Sequence, residues 1–520
     1  MNVLFPQFVE VGVGLYMKRI NKVMLINAFS SDVGDTRKLQ PLGIAYLCSS
    51  LRKNNIKCDT LDMNLDIQNM NADFVVKKII EEKYDFIGFS VVTANFSDAL
   101  SVAKKIKEKT SAIICMGGVF PTIQHEQILN QEFYIDLIIR GEAEHAIVKV
   151  IKDFNVNGKF STAIDGCSYQ NLNGKKHFCS EINKITLLDT LPFPDRENAF
   201  LYSKRKLSNY KTDLKNIPVA SSRGCPYSCT FCSVPSLGLN WRGRDPENVA
   251  EEIYEMYKID SEIFIVFIDD NFFVDYKRAL EIAFKIKEKC GKPVPFSFAT
   301  RADQIIRAGS ETISKLREYG CEAIEIGIEN GSDSVLLRMN KKISVVQNKE
   351  ALKILKNNGI APGVDFILFD DETTLEELEE NIVFLKDNML FGYYPTLVYS
   401  QMFPYVGTKF HEKGVDMTNY FKNVIVSDIY DQLIKFQNKC QSLIDKVVKD
   451  TAFIEDRNME IKIDYIYVQT APYVYLNYLI EAVKNNWDIT NDNEIDSIYE
   501  KVSAIHDKYC DNKEEKIDER

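Results

Sequence analysis

Cys225-Pro-Tyr-Ser-Cys229-Thr-Phe-Cys232, preceded by Ser222-Arg-Gly224, sets three thiols at C-x3-C-x2-C spacing on one short loop. Random placement of 12 cysteines in 520 residues would give this spacing about 0.006 times. Three thiolates can hold three irons of a four-iron cluster and leave the fourth open to a substrate, whereas four-cysteine clusters are closed electron carriers. A structural zinc site needs a fourth Cys or His ligand nearby. The next cysteine is Cys290, and no histidine lies between His177 and His411. A disulfide framework belongs to small secreted domains, not to a chain of this length without a signal-peptide pattern. Cys225, Cys229 and Cys232 are therefore the candidate metal ligands, for a [4Fe-4S] cluster.

The elements that must position the loop alternate between strand and helix. Strands are expected at Ile217–Ser221, Ile263–Ile268, Phe296–Thr300, Ala323–Ile328 and Val364–Phe369. Helices are expected from Pro246, at Glu311–Tyr319 and at Val345–Asn357. Such an array predicts a partial (β/α) barrel over 216–415 with its site at the strand carboxyl ends. Upstream, 22–155 shows a second alternation, with strands at 22–27, 56–61, 86–91, 112–116 and 137–139. This predicts a doubly wound parallel sheet. Residues 156–215, with Asn-Gly turn signals and the spaced prolines of Leu191-Pro-Phe-Pro-Asp195, read as an irregular connector. Residues 416–520 read as a mainly helical region, with a charged tail from Asp511 expected to be disordered. The fold class is α/β.

Residues that follow the first set of strands are small and polar: Asp62, Ser90, Thr93, Asn95, Gly117, Gly118, Pro121, Thr122, Gly141 and Glu142. Singly each is turn chemistry; after successive strands they form a candidate ligand rim.

The cysteine loop, with Phe231 directly before its last cysteine, resembles the cluster motif of the radical S-adenosylmethionine (SAM) enzymes. The ordered segments Pro41-Leu-Gly-Ile-Ala-Tyr-Leu, Ser90-Val-Val-Thr-Ala-Asn, Gly117-Gly-Val-Phe-Pro-Thr and Arg140-Gly-Glu-Ala-Glu resemble the cobalamin-binding domain that precedes many of them. The resemblance implies a [4Fe-4S] cluster whose open iron chelates SAM, and cobalamin in the N-terminal, Rossmann-like domain. It places SAM contacts at Asp269, Asp270, Asn271, Thr300, Arg301, Glu329 and Ser332, with Arg301 facing the SAM carboxylate. Phe403-Pro-Tyr-Val-Gly407-Thr408 resembles the turn that closes such domains. One departure is the missing D-x-H-x-x-G, whose histidine ligates cobalt in other corrinoid proteins. His125 and His145 stand outside that context and read as ordinary surface or helix residues.

The implied activity is methylation of an unactivated carbon, with one SAM charging the corrinoid and a second supplying the radical. A cyclase or rearrangement enzyme of the same family, forming deoxyadenosine without methyl transfer, is the alternative. A non-catalytic cobalamin-binding sensor is the rival from another class. The partners implied are a small-molecule or peptide substrate and an electron donor such as flavodoxin or ferredoxin. A net charge of −11 argues against a nucleic-acid surface. Lys204-Arg205-Lys206 and Arg242-Gly-Arg244 read as solvated surface. No apolar run is long enough to span a bilayer, and a reducing cytoplasmic location is expected.

Overall fold

The computed structural model describes residues 19–30, 39–65, 70–161, 164–171, 174–202, 204–205, 212–391, 395–452 and 459–514. It falls into two compact units, Met1–Lys204 and Arg205–Arg520.

In the first unit, β1 (Lys22–Asn27) is apolar along nearly its whole length, as a parallel strand covered on both faces must be. It is followed by α1 (Leu42–Lys53), β2 (Lys57–Asp62), α2 (Ala72–Glu82), β3 (Phe86–Ser90), α3 (Phe96–Lys109), β4 (Ile113–Gly117), α4 (Val119–Gln131), β5 (Leu137–Ile139) and α5 (Glu144–Asn157). The strand order is β2-β1-β3-β4-β5, all parallel. One face packs on α1 and α5 through Ile44, Leu51, Ile147 and Ile151; the other packs on α2 and α3 through Val75, Ile79, Val102 and Ile106. This order reverses direction between β1 and β3, and the crevice beyond their carboxyl ends is where such sheets take ligands.

The segment 156–202 is less irregular than expected. Strands β6 (Cys167–Gln170) and β7 (Lys176–His177) extend the sheet as an antiparallel hairpin beside β5. Gly174, at φ +73°, lies between the two strands, where Asn171 N–H donates to Lys175 O at 2.8 Å.

The second unit's sheet runs β15-β14-β13-β12-β9-β8, from β8 (Lys204–Arg205) and β9 (Leu214–Val219) to β12 (Ile263–Phe267), β13 (Phe296–Arg301), β14 (Cys321–Glu329) and β15 (Ala361–Phe366). The pairs from β9 to β15 are parallel. A short antiparallel pair, β10 (Ser222–Arg223) and β11 (Arg242–Gly243), flanks the cysteine loop. The strands are joined by α6 (Pro246–Ile259), α7 (Tyr276–Cys290), α8 (Ala302–Glu318), α9 (Asp333–Arg338) and α10 (Val345–Asn357). Helix α6 starts where Asp245 accepts Glu247 N–H at 2.8 Å with Pro246 in the first turn. Helix α10 starts on a Ser344/Gln347 capping box.

Three elements begin three or more residues early, β9 at Leu214 rather than Ile217 among them. Helix α8 begins at Ala302, not Glu311, as two helices joined across Gly309. Strand β15 begins three residues early, because Pro362 is tolerated at the sheet's edge.

After α11 (Leu375–Asp387) and the short α12 (Lys409–Glu412), three long helices follow: α13 (Val424–Ala452), α14 (Met459–Lys484) and α15 (Asn493–Glu514). Phe436 of α13 stacks on Tyr475 of α14 at 4.8 Å. The tail expected to be disordered from Asp511 is helical to Glu514, and 515–520 lie outside the described residues. No helix among the described residues is long and apolar enough to cross a membrane.

Candidate active site

The cysteine loop has no regular structure of its own, so its shape comes from what it leans on. Gly224 sits at φ +82°, where a Cβ would lie 2.7 Å from the carbonyl oxygens of Leu239 and Asn240; only glycine can precede Cys225 without displacing that chain. Its N–H donates to Asp270 at 2.8 Å. At the loop's root, Asp269 is 4% exposed and accepts Ser221 N–H at 3.0 Å, Ser221 Oγ–H at 2.7 Å and Ser222 Oγ–H. Burial raises the Asp269 carboxyl pKa, while these bonds and Arg278 oppose the rise.

The loop's far side is held by a segment more than a hundred residues away. Thr230 N–H donates to Met339 O at 2.9 Å, Asn340 Nδ2 donates to Ser228 O at 2.8 Å, and Phe410 N–H donates to Thr230 O at 2.9 Å. Phe231 packs on Val335, Met339, Met402, Phe410 and Tyr420. The turn Phe403–Thr408 thus delivers Phe410 to the loop, with Thr408 capping α12 through His411 N–H. Of the tyrosines near that turn, Tyr399 is buried and Tyr405 is exposed.

All three loop cysteines are free and half-buried. Burial raises the Cys225 thiol and pushes Cys232 up to about 11, so thiolate there needs a positive partner. Among the described residues, no three His, Cys, Asp or Glu side chains converge on one ion position. Three free thiols on one loop are the donor count of a four-iron cluster that leaves one iron open.

Arg301, at the end of β13, is 5% exposed. Its Nε donates to Asp303 at 2.9 Å, Nη2 to Lys341 O at 2.5 Å, and Nη1 reaches Cys229 Sγ at 3.7 Å. Its guanidinium lies 3.7 Å from the Tyr227 ring centroid, a desolvated contact of about 2 kcal/mol. Asn271, 1% exposed, accepts Thr300 Oγ–H at 3.1 Å; its Nδ2 has no partner among the described residues. Glu329, at φ +62°, pairs with buried Lys341 at 2.5 Å. Thus Asp269, Asp270, Asn271, Thr300, Arg301 and Glu329 collect around the loop and its supports. Ser332 does not: its hydroxyl bonds Ser334, which in turn donates to Glu377.

Sequence reasoning missed the residues that join these parts. Arg338 forks both Asp370 (2.9 and 3.0 Å) and Glu377 (2.6 and 2.9 Å). Glu325 and Asp365 share the inner sheet face, in register with Ala299, Gly363, Arg301 and Gly327. Asp365 is reached by solvent yet recessed among protein atoms, and its carboxyl is pushed up to about 7, first by burial and then by Glu325 and Glu329. The motif Arg242-Gly-Arg244 is not solvated surface: Arg244 is 5% exposed and pairs with buried Glu252 at 2.6 Å. Lys206 lies outside the described residues.

In the first unit the rim divides in two. Asp62 accepts Asn27, Asn64 and Tyr202. Asn95 accepts Val92 N–H at 2.8 Å, closing its own turn. Thr122 bonds Gly118 O and Gly141 N–H, with Pro121 buried beside it, and Glu142 accepts Ile185 N–H. These side chains are spent on loop geometry. Ser90 and Thr93 remain half-buried beside the β1/β3 crevice, and Gly117 ends β4 next to it. Gly118, at φ +109°, brings the β4 loop so close to β3 that a Cβ would lie 2.3 Å from Val91 O. His125 is on α4 as expected but is not a surface residue: it is 7% exposed, with Nδ1 2.9 Å from Ser168 Oγ. His145 is exposed on α5.

Comparison with known proteins agrees with this geometry. The radical SAM superfamily model matches residues 219–385, and the B12 binding domain model matches 36–151. An uncharacterized methyltransferase of Pyrococcus horikoshii is 30% identical over 379 residues, covering 71% of this chain and 78% of that protein. An anaerobic magnesium-protoporphyrin IX monomethyl ester cyclase of Rubrivivax gelatinosus is 26% identical over 407 residues, 75% of this chain and 71% of that one. In fold, the cobalamin-dependent SAM radical enzyme OxsB, solved with aqua-cobalamin and SAM, superposes with a TM-score of 0.73 at 18% identity, covering 96% of this chain and 81% of OxsB. The chain therefore belongs to the radical SAM enzymes that carry a B12-binding domain, a family whose cofactors are a [4Fe-4S] cluster, SAM and cobalamin.

Proposed function

We propose that this enzyme methylates an unactivated carbon of a small-molecule or peptide substrate. The observation that carries the reading is one chain holding a three-thiol loop on a β/α array and a B12-binding unit, with a methyltransferase-named relative spanning most of it. Cys225, Cys229 and Cys232 would hold the cluster. Asp269, Asp270, Asn271, Thr300, Arg301, Glu329 and Ser332 are assigned to the SAM side, where the unpartnered Nδ2 of Asn271 offers a buried donor. Asp62, Ser90, Thr93, Asn95, Gly117, Gly118, Pro121, Thr122, Gly141 and Glu142 are assigned to the corrinoid side. Ser90 and Thr93 present hydroxyls, and the others shape the backbone that receives the ring. When bound, the cluster and SAM supply hydrogen-abstracting radical chemistry and the corrinoid supplies a transferable methyl group.

The chain's own contribution is orientation. Ser221, Ser222 and Asp269 fix the root of the loop, Asp270 fixes Gly224, and Phe231 anchors the last turn. The division proposed is 22–155 for the corrinoid, 156–215 as connector, 216–415 for the radical site and 416–520 as the helical region. A low-potential donor such as flavodoxin or ferredoxin, a cytoplasmic setting and no role for nucleic acid belong to the same proposal.

Mass spectrometry of SAM products from the anaerobically reconstituted chain tests it. S-adenosylhomocysteine together with 5′-deoxyadenosine is expected, both lost in Cys229→Ala. Deoxyadenosine alone, in the presence of cobalamin and substrate, would overturn methylation in favour of a cyclising or rearranging reaction. The Rubrivivax cyclase relative, matching 75% of this chain, supports that second reading.

A further inference from the structure

Arg301 holds contacts that binding of SAM does not explain. Its side chain is gripped on three sides, by Asp303 at Nε, by the Lys341 carbonyl at Nη2 and by the Tyr227 ring against its face. Those contacts dictate where Nη1 points, and it points to Cys229 Sγ, 3.7 Å away. Tyr227 lies inside the cysteine loop, and its hydroxyl is tied back to Asp303 at 3.2 Å and to Gln304. Arg301, Asp303 and Tyr227 thus form a closed bracket around one thiol of the three. At 5% exposure the guanidinium is shielded from water, so its charge acts at close range and at low dielectric.

We propose that Arg301 is a positioning residue that sets the reduction potential of the cluster by donating from Nη1 to the Cys229 sulfur. The proposal rests on the assignment of Cys225, Cys229 and Cys232 as the ligands. Net charge and hydrogen bonds to the sulfurs are the protein's levers on cluster potential. One-electron reduction adds negative charge to the cluster and its thiolates. A buried cation donating to one of those sulfurs stabilises the reduced form more than the oxidised form. Arginine is never deprotonated in proteins, so the effect holds across the working pH range. The Asp303 carboxylate offsets part of the charge, leaving the directional N–H···S bond as the specific element.

The test is an EPR-monitored redox titration of the full chain, reconstituted anaerobically with ferrous iron and sulfide and reduced by titanium(III) citrate through mediators. Arg301→Gln should keep wild-type iron and sulfide content. Its reduction equilibrium should become about tenfold less favourable, a midpoint about 59 mV lower for one electron. Arg301→Lys, which keeps the charge but lacks the planar fork that spreads its donors over three acceptors, should fall by less. An iron-replete Arg301→Gln cluster with an unmoved midpoint would overturn the tuning and leave the ligand assignment standing. Loss of iron uptake in both variants would overturn it in favour of a purely structural role. A Cys229→Ala chain that binds as much iron as wild type would instead overturn the ligand assignment, and this proposal with it.

Discussion

Arg338→Met should destabilise the second unit by about 3 kcal/mol. The guanidinium forks two carboxylates that are nearly sealed from water, Asp370 at 3% and Glu377 at 8% side-chain exposure. Removing one member of a buried ionic group strands its partners, typically at about 3–5 kcal/mol. The lower end applies because each carboxylate keeps other donors: Thr373 Oγ–H at 2.9 Å and Glu372 N–H at 3.1 Å for Asp370, Ser334 Oγ–H at 2.5 Å and Thr374 N–H at 3.0 Å for Glu377. At about 2–4 °C per kcal/mol, Tm should fall by about 6–12 °C. Urea unfolding followed by tryptophan fluorescence isolates the effect, because the only two tryptophans, Trp241 and Trp487, both lie in the second unit. Adding Asp370→Asn and Glu377→Gln should return most of the loss, since the stranded charges are then gone. The pH dependence has a definite sign. Burial raises the Glu377 carboxyl, but Arg338 and Ser334 bonds outweigh it and hold it below the usual carboxylate range. Its contribution is therefore full above the unfolded value of about 4.3 and lost as pH falls through the depressed folded value. The variant should show a flatter loss of stability in acid. A variant within about 1 kcal/mol of wild type would refute the reasoning, because exposed surface pairs are worth up to that much.

In the first unit, Gly118→Ala must place a Cβ against Val91 O at φ +109°, and should lower urea stability by about 1–3 kcal/mol; an unchanged midpoint would refute the close approach. His125→Phe should leave cobalamin titration by absorbance unchanged while costing about 1 kcal/mol for the bond to Ser168, whose hydroxyl keeps the Cys179 N–H; a lost spectral shift would instead make His125 a cobalt ligand. Asp365, held up to about 7, binds its proton more tightly folded than unfolded, so its contribution to stability declines as pH rises from about 4 to about 7. Glu325→Gln should move that carboxyl back toward the usual range in 13C NMR titration, and an unmoved value would show that burial and Glu329 set it without Glu325.

What could be read from the chain without coordinates was whatever has a local signature. The cysteine spacing, the Ser344/Gln347 cap of α10 and the apolar strands Lys22–Asn27 and Ile263–Phe267 each announce themselves within a few residues. The β6–β7 hairpin carries too few apolar residues to show a period, and Pro362 with Gly363 masks the start of β15. The supports of the loop were illegible for a different reason. Arg301 meets Cys229 across 72 residues and Asn340 meets Ser228 across 112, and a side chain's choice of so distant a partner leaves no pattern in its neighbours. Arg244 illustrates the converse error, the second arginine of a local charge cluster that proves to be buried against Glu252.

The staple between Ser228–Thr230 and Arg338–Asn340 also has a consequence in time. A ribosome emits about 5–20 residues per second. The residues that shape the cysteine loop therefore leave it some 108 positions, or roughly 5–20 s, after the loop itself. For that interval three thiols travel on a chain that cannot yet hold them in place. The set of supports is complete later still, once Phe410, beyond β15, is in place to donate to Thr230. The nascent loop is correspondingly open to oxidation or to capture by the wrong ion, and this is the stage at which growth in air should do its damage.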